Sequence, residues 1–273
     1  MFWQWQPMQI VKGGLLAALA GLAVIAPALA PCLAPAIAMV GGAPPAGDGA
    51  GRSVVMILGS AGTVCTATAV ARDLLLTAAH CVEPGADYKL MGNKPGETPV
   101  LKDIVRIERD PQFQLKRLFT HLATADVALI KLAEPLPDRI PAARIAGDAA
   151  TVAVGDTLVV AGYGVTAHGA DRLDGVVRAA TLAITGQPGS LQIRLFDPSS
   201  KGVRPGLGAC TGDSGAPAFR DDNGTLSIVG VVSWSTGPNL TGGCGGLTGI
   251  TPLQGYRTWI IDTARALGSP LAP

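Results

Sequence analysis

The chain has 273 residues, 48% hydrophobic and 15% charged, a balance too apolar and too weakly charged for a disordered polymer. Lys and Arg number 21 against 20 Asp and Glu, a formal net charge of +1, so there is no basic surplus to neutralise phosphates and nucleic acid is excluded as the main partner. The five cysteines form no C-x-x-C pair, which argues against a thiolate zinc site, and 36 glycines with 21 prolines suit an all-β chain rich in turns.

Within residues 1–38 Lys12 is the only charged side chain, and residues 13–26 carry no polar side chain at all. Pro27, Pro31 and Pro35 follow among Ala and Leu. A cationic start, a short apolar run and small-residue sites have the layout of a secretory signal peptide. A retained anchor is the competing reading. The run is shorter than the ~20 residues that a hydrocarbon core of ~30 Å demands, and the prolines would break a helix. Two A-x-A sites are present, Ala28-Leu29-Ala30 before Pro31 and Ala36-Ile37-Ala38 before Met39. Cutting after Ala38 also removes Cys32 and leaves an even set of cysteines fit for disulfides, whereas cutting after Ala30 leaves an odd one. A lipid anchor on Cys32 is disfavoured by the Pro31 that precedes it. The sequence thus reads as a signal peptide at 1–38 and an exported body at 39–273, secreted or periplasmic.

In the body, short apolar or alternating runs recur at 54–58, 64–71, 74–77, 104–107, 127–132, 158–161, 176–184, 191–196, 216–219, 228–234 and 248–253, with turn residues between them. Leu191-Gln192-Ile193-Arg194-Leu195 alternates cleanly, as a strand with one buried face does. Asp222-Asn223-Gly224 between two runs is a hairpin signal, because Asn-Gly accepts positive φ at both central positions. Many short strands at this spacing point to sandwiches or barrels. Only the end reads as a helix: Tyr256, Trp259, Ile260, Thr263, Ala264 and Leu267 recur at helical spacing, and Gly268 and Pro270 stop it. The Pro-rich stretch 134–141 is the best linker candidate.

Three segments carry chemistry: Leu76-Thr77-Ala78-Ala79-His80-Cys81, Asp126-Val127-Ala128-Leu129-Ile130-Lys131-Leu132, and Cys210-Thr211-Gly212-Asp213-Ser214-Gly215-Ala216-Pro217. Each offers one member of a Ser/His/Asp set. A serine hydroxyl is a poor nucleophile at neutral pH, so a neighbouring base must take its proton, and histidine, with an ordinary pKa of ~6.5, suits that task. A buried carboxylate then fixes the tautomer and steadies the imidazolium. Glycines beside the serine let backbone N–H groups approach the substrate oxygen. The G-x-S-x-G elbow of α/β-hydrolases does not fit, since position 216 is Ala and the triad order there is Ser, acid, His. Asp126 alone could merely cap a strand, and His121 and His168, which lack such context, read as surface residues.

These blocks resemble the T-A-A-H-C, D-[IV]-A-L-[IL]-K-L and G-D-S-G-x-P signatures of trypsin-like serine proteases of the chymotrypsin fold. Ser233-Trp234 resembles a fourth block, and Val160-Ala161-Gly162-Tyr163-Gly164 that family's V-x-G-[WY]-G stretch. The likeness runs from about Met39 to Ile261, and we read the chain as a secreted member of bacterial type. It implies an all-β fold of two six-stranded antiparallel barrels, the first at about 39–140, the second at about 141–254, and a C-terminal helix at about 255–267.

The resemblance further implies His80 as general base, Asp126 as its orienter and Ser214 as nucleophile, with the backbone N–H groups of Gly212 and Ser214 as oxyanion hole. It implies disulfides Cys65–Cys81 and Cys210–Cys244. The family's activating N-terminus, I-V-G-G, has its counterpart in Met39-Val40-Gly41-Gly42, whose ammonium would pair with Asp213. Because no Lys or Arg precedes Met39, signal peptidase cutting after Ala38 would itself create that terminus. The pocket floor falls at Gly208 and the walls at Ser235 and Thr248, which favours a small or medium uncharged residue before the scissile bond, since a buried unpaired cation is costly. Substrate backbone would add as a strand along Ser233, Trp234 and Ser235. The implied function is an endopeptidase acting on protein or peptide substrates, with no cofactor, no metal, no membrane contact after signal removal, and a monomeric state. Glu83, Asp87 and Glu97 could hold calcium but read better as a solvated loop. Two rival readings are a catalytically silent binding protein on the same fold and an esterase using the same triad.

Overall fold

A computed structural model describes residues 39–92, 100–120, 122–170 and 172–271. The segment expected to be a signal peptide, 1–38, with its two A-x-A sites and Cys32, lies outside the described residues, as do Glu97 and His121. Six strands close the first barrel: β1 (Val54–Gly59), β2 (Val64–Ala71), β3 (Leu74–Thr77), β4 (Tyr88–Gly92), β5 (Val100–Arg109) and β6 (Ala128–Leu132), in the ring order β1-β2-β3-β6-β5-β4. A single helical turn, α1 (Leu115–Phe119), lies between β5 and β6. The strands of the second half are β7 (Arg144–Ile145), β8 (Thr157–Gly162), β9 (Arg178–Thr185), β10 (Ile193–Phe196), β11 (Pro217–Asp222), β12 (Thr225–Ser235) and β13 (Leu247–Pro252). Six of them close as β11-β8-β9-β10-β13-β12 through the β11–β12 hairpin, and β7 adds to β12 in parallel. The chain ends in α2 (Arg257–Ala266). The fold is therefore the chymotrypsin-like pair of six-stranded antiparallel barrels with a C-terminal helix.

Alternation explains why strands buried on both faces still have two destinations. In β1, Val55 and Ile57 point into the first barrel while Val54 and Met56 face the core between the barrels. In β3, Leu75 goes inward and Leu74 and Leu76 outward; in β6, Ala128, Ile130 and Leu132 go inward and Leu129 outward. The outward set meets Phe219 and Val231 of the second barrel and Tyr256, Ile260 and Ala264 of the C-terminal segment. The second barrel has its own core of Leu158, Val160, Leu182, Ile184, Leu195 and Ile250.

The Asn-Gly turn forms as expected: Asp222 pairs with Thr225, and Asn223 and Gly224 take φ of 54° and 86°. The C-terminal helix begins at Arg257, two residues later than its pattern suggests, because Gln254–Tyr256 wind as a 3-10 turn before it. Gly268, at φ 74°, closes its end. The pattern missed α1, whose five residues are too few for periodicity; the Thr120 hydroxyl secures it by donating to the carbonyls of Lys116 and Arg117. It also missed β4 and the two-residue β7.

Candidate active site

His80 lies in a 3-10 turn, Ala79–Val82, that begins just after β3 ends at Thr77. Asp126 lies two residues before the buried start of β6 and is wholly shielded from solvent. The two meet twice: the His80 backbone N–H donates to Asp126 Oδ1 at 2.9 Å, and Nδ1 lies 2.7 Å from Oδ2. A carboxylate accepts only, so Nδ1 carries the proton in the neutral ring and Nε2 keeps its lone pair. The Ser233 hydroxyl donates to the same Oδ2 at 2.5 Å. Three donors thus compensate a carboxylate that would otherwise be costly to bury. The resemblance had given Ser233 only a backbone role; its hydroxyl contact with Asp126, 107 residues away, is new from the structure.

Ser214 follows Gly212 and Asp213 on the loop before β11. It lines one cleft of about 410 Å³ together with His80, Cys65, Cys210, Thr211, Gly212, Trp234 and Ser235. Among the described residues, the Ser214 hydroxyl has no hydrogen-bond partner, and the backbone N–H groups of Gly212 and Ser214 are engaged neither by a carbonyl nor by a side chain. Gly212 has φ 96°, and Gly215 has φ 80° with no room for a Cβ, which would sit 2.1 Å from Thr77 Oγ1. Both glycines of the G-D-S-G block therefore have backbone reasons to be glycine.

Asp213 is completely buried. Its Oδ1 accepts from the Gly164 N–H at 2.8 Å and its Oδ2 from the Cys210 N–H at 2.9 Å. Burial pushes its pKa up to about 7 despite those two donors. A Cβ on Gly162 or Gly164 would stand 2.2 Å from an Asp213 oxygen, which is why Val160-Ala161-Gly162-Tyr163-Gly164 needs both glycines. Met39 is fully buried in the second barrel's core, and Val40 bridges to Gly208. Gly41 passes so close to Gly206 that a Cβ would lie 2.4 Å from its carbonyl.

Of the expected pocket residues, Trp234 and Ser235 line the cleft, and Ser233 lies behind it on Asp126. Gly208 and Thr248 do not line it. Thr248, 1% exposed, accepts the Ala209 N–H at 3.0 Å, and Gly208 sits against its hydroxyl. Gly249 makes room for the Trp234 indole, which a Cβ there would meet at 1.9 Å. The disulfides Cys65–Cys81 and Cys210–Cys244 are both formed. They also account for the two Cys/His groupings near the site, Cys65–His80–Cys81 and His168–Cys210–Cys244, whose sulfurs are already bonded to each other. His168 is exposed, as expected. Glu83 pairs with Arg109 at 2.7 Å, which removes one carboxylate from the suggested calcium loop.

Two barrels enclosing a cleft with a histidine, a buried aspartate and a serine define the class of chymotrypsin-fold serine proteases. The family model described as Trypsin matches residues 39–260, and the chain belongs to that family. It is similar to snake venom serine protease rhinocerase 4 of Bitis rhinoceros, 25% identical over 215 residues, which cover 77% of this chain and 81% of that one. That relative gives no support to the expectation of a bacterial type.

Proposed function

We propose that the protein is a secreted, monomeric serine endopeptidase that cleaves peptide bonds through an acyl-enzyme. The observation that carries this reading is the His80–Asp126 pair, anchored at both carboxylate oxygens and opening onto the cleft that Ser214 also lines. In this reading His80 Nε2 takes the Ser214 proton as Oγ bonds to the substrate carbonyl carbon. The oxygen of the tetrahedral intermediate is received by the Gly212 and Ser214 N–H groups. The imidazolium then gives its proton to the leaving amine as the C–N bond breaks, and a water repeats the sequence to release the acid. Substrate backbone pairs along Ser233, Trp234 and Ser235. Gly208, Ser235 and the inward-filling Thr248 select a small or medium uncharged side chain. The two disulfides fit an oxidising compartment.

Activation fits the same frame. Met39, freed by cleavage after Ala38, supplies an α-ammonium to Asp213, a buried carboxylate whose hydrogen-bond partners among the described residues are N–H groups alone. N-terminal sequencing of exported protein should begin at Met39; a start at Pro31 would sink that step. An Asp213→Asn protein that retained full activity would count against the ion pair.

The test of the function itself is labelling with a fluorophosphonate probe, expected for the wild type and abolished in Ser214→Ala. An unlabelled wild type would support the silent binding protein instead. A peptide-library digest separates endopeptidase from esterase: ester turnover without peptide cleavage would overturn the peptidase reading.

A further inference from the structure

We propose that Thr66 is a positioning residue for the oxyanion site, an inference that rests on the reading of Gly212 and Ser214 just given. Thr66 follows Cys65 on β2 of the first barrel and is fully buried. Its hydroxyl accepts the Tyr163 N–H at 3.1 Å and donates to the Gly212 carbonyl at 2.8 Å. Its backbone N–H donates to the Ser214 carbonyl at 2.8 Å, and its own carbonyl accepts the Thr77 hydroxyl at 2.8 Å. Every polar group of the residue is used, and three of its four bonds cross to the second barrel.

The bonds fall on the nucleophile loop, where they add to its other backbone ties. A peptide unit is planar, so holding its carbonyl also fixes its N–H. The Ser214–Gly215 unit is held on both sides, by the Thr66 N–H and by Gly215 N–H donating to the Val232 carbonyl. The Asp213–Ser214 unit, which bears the Ser214 N–H, is tied by Ala216 N–H donating to the Asp213 carbonyl. The Gly212–Asp213 unit is held by Asp213 N–H on the Cys210 carbonyl and by the Thr66 hydroxyl. Gly212 itself has no Cβ to limit it and rests at φ 96°. The Thr211–Gly212 unit, which bears the Gly212 N–H, is tied by the Val165 N–H on the Thr211 carbonyl at 2.8 Å. Losing the Thr66 bond frees the Gly212 carbonyl, so the glycine can pivot about its remaining ties and tilt its N–H relative to the cleft. The Thr66 hydroxyl closes that route.

The experiment compares Thr66→Val, which keeps the shape and loses the hydroxyl, with Thr66→Ser, which keeps the hydroxyl. Rates are expressed per active site counted by fluorophosphonate titration. Thr66→Val should lower kcat on a peptide substrate at least tenfold with KM changed less than about threefold, in the range for loss of an oxyanion donor. It should weaken a peptide boronic acid, which occupies the tetrahedral state, by the same factor, and leave binding of the product peptide unchanged. Thr66→Ser should restore most of both. A merely structural role would lower thermal stability and the number of titratable sites while kcat per site stayed the same, and that result would overturn the proposal. Should Thr66→Val fail to fold, Thr66→Ala carries the same comparison. A wild type that neither labels nor cleaves removes the underlying reading of the site and this inference with it. A labelled wild type whose hydroxyl-free variant is unchanged removes this inference alone.

Discussion

A carboxylate shut away from water with two N–H partners, as at Asp213, makes the uncut chain sensitive to pH. Its folded-state pKa is raised from 3.8 to about 7, so the folded state holds that proton more tightly than the unfolded one. The contribution of Asp213 to stability is then full below the unfolded value, falls by about 4 kcal/mol as pH rises towards 7, and levels off above it. Urea unfolding of the uncut chain across that range should show the loss; Asp213→Asn should flatten it, and an unaltered slope would refute the assignment. At this scale the sequence was legible where chemistry clusters locally: His80, Asp126 and Ser214 each sit in a distinctive run. It was silent about Thr66, because a threonine in V-C-T-A-T-A-V-A is ordinary β-strand composition and its partner Gly212 is 146 residues away. The Ser233 hydroxyl was hidden for the same reason.

Among the elements, β13 carries Thr248, the residue proposed to limit the pocket. Thr248 is directed against Gly208 and Ala209 rather than towards solvent. Thr248→Gly should deepen the cleft and move the preferred residue before the scissile bond towards larger side chains in a peptide-library digest; an unchanged profile would retire the pocket assignment. The Cys210–Cys244 bridge ties the nucleophile loop to the segment before β13. Replacing both cysteines by serine should lower stability by about 2–4 kcal/mol, read as a fall in thermal midpoint. Strands with several apolar residues in succession, such as β3, were readable as strands from their neighbours but not as two-faced ones. Which face served which core depended on the second barrel being there. β4, with Tyr88 and Leu90 inward and Lys89 outward, alternates over too few residues to stand out.

Across the whole molecule, the last helix staples the halves together. Tyr256, Ile260 and Ala264 enter the core between the barrels, and beyond the helix Ser269 joins Lys131 and Asp73 on the first barrel, with Lys131 donating to both at 2.6 and 2.5 Å. Ile260→Ala should cost about 2–5 kcal/mol in urea unfolding while kcat per titrated site is maintained. A loss of kcat per site would mean that the helix tunes the cleft as well as holding the barrels. The hydrophobic spacing that revealed this helix could not reveal what it packs on, since its partners come from strands on both sides of the linker. The buried position of Met39, with Val40 bridged to Gly208, has a practical corollary. A purification handle fused ahead of Met39 would have to leave from the interior of the second barrel, whereas one appended after Pro273 would follow the exposed Pro270 and half-buried Leu271, so recombinant material intended for assay should carry its label at the far end.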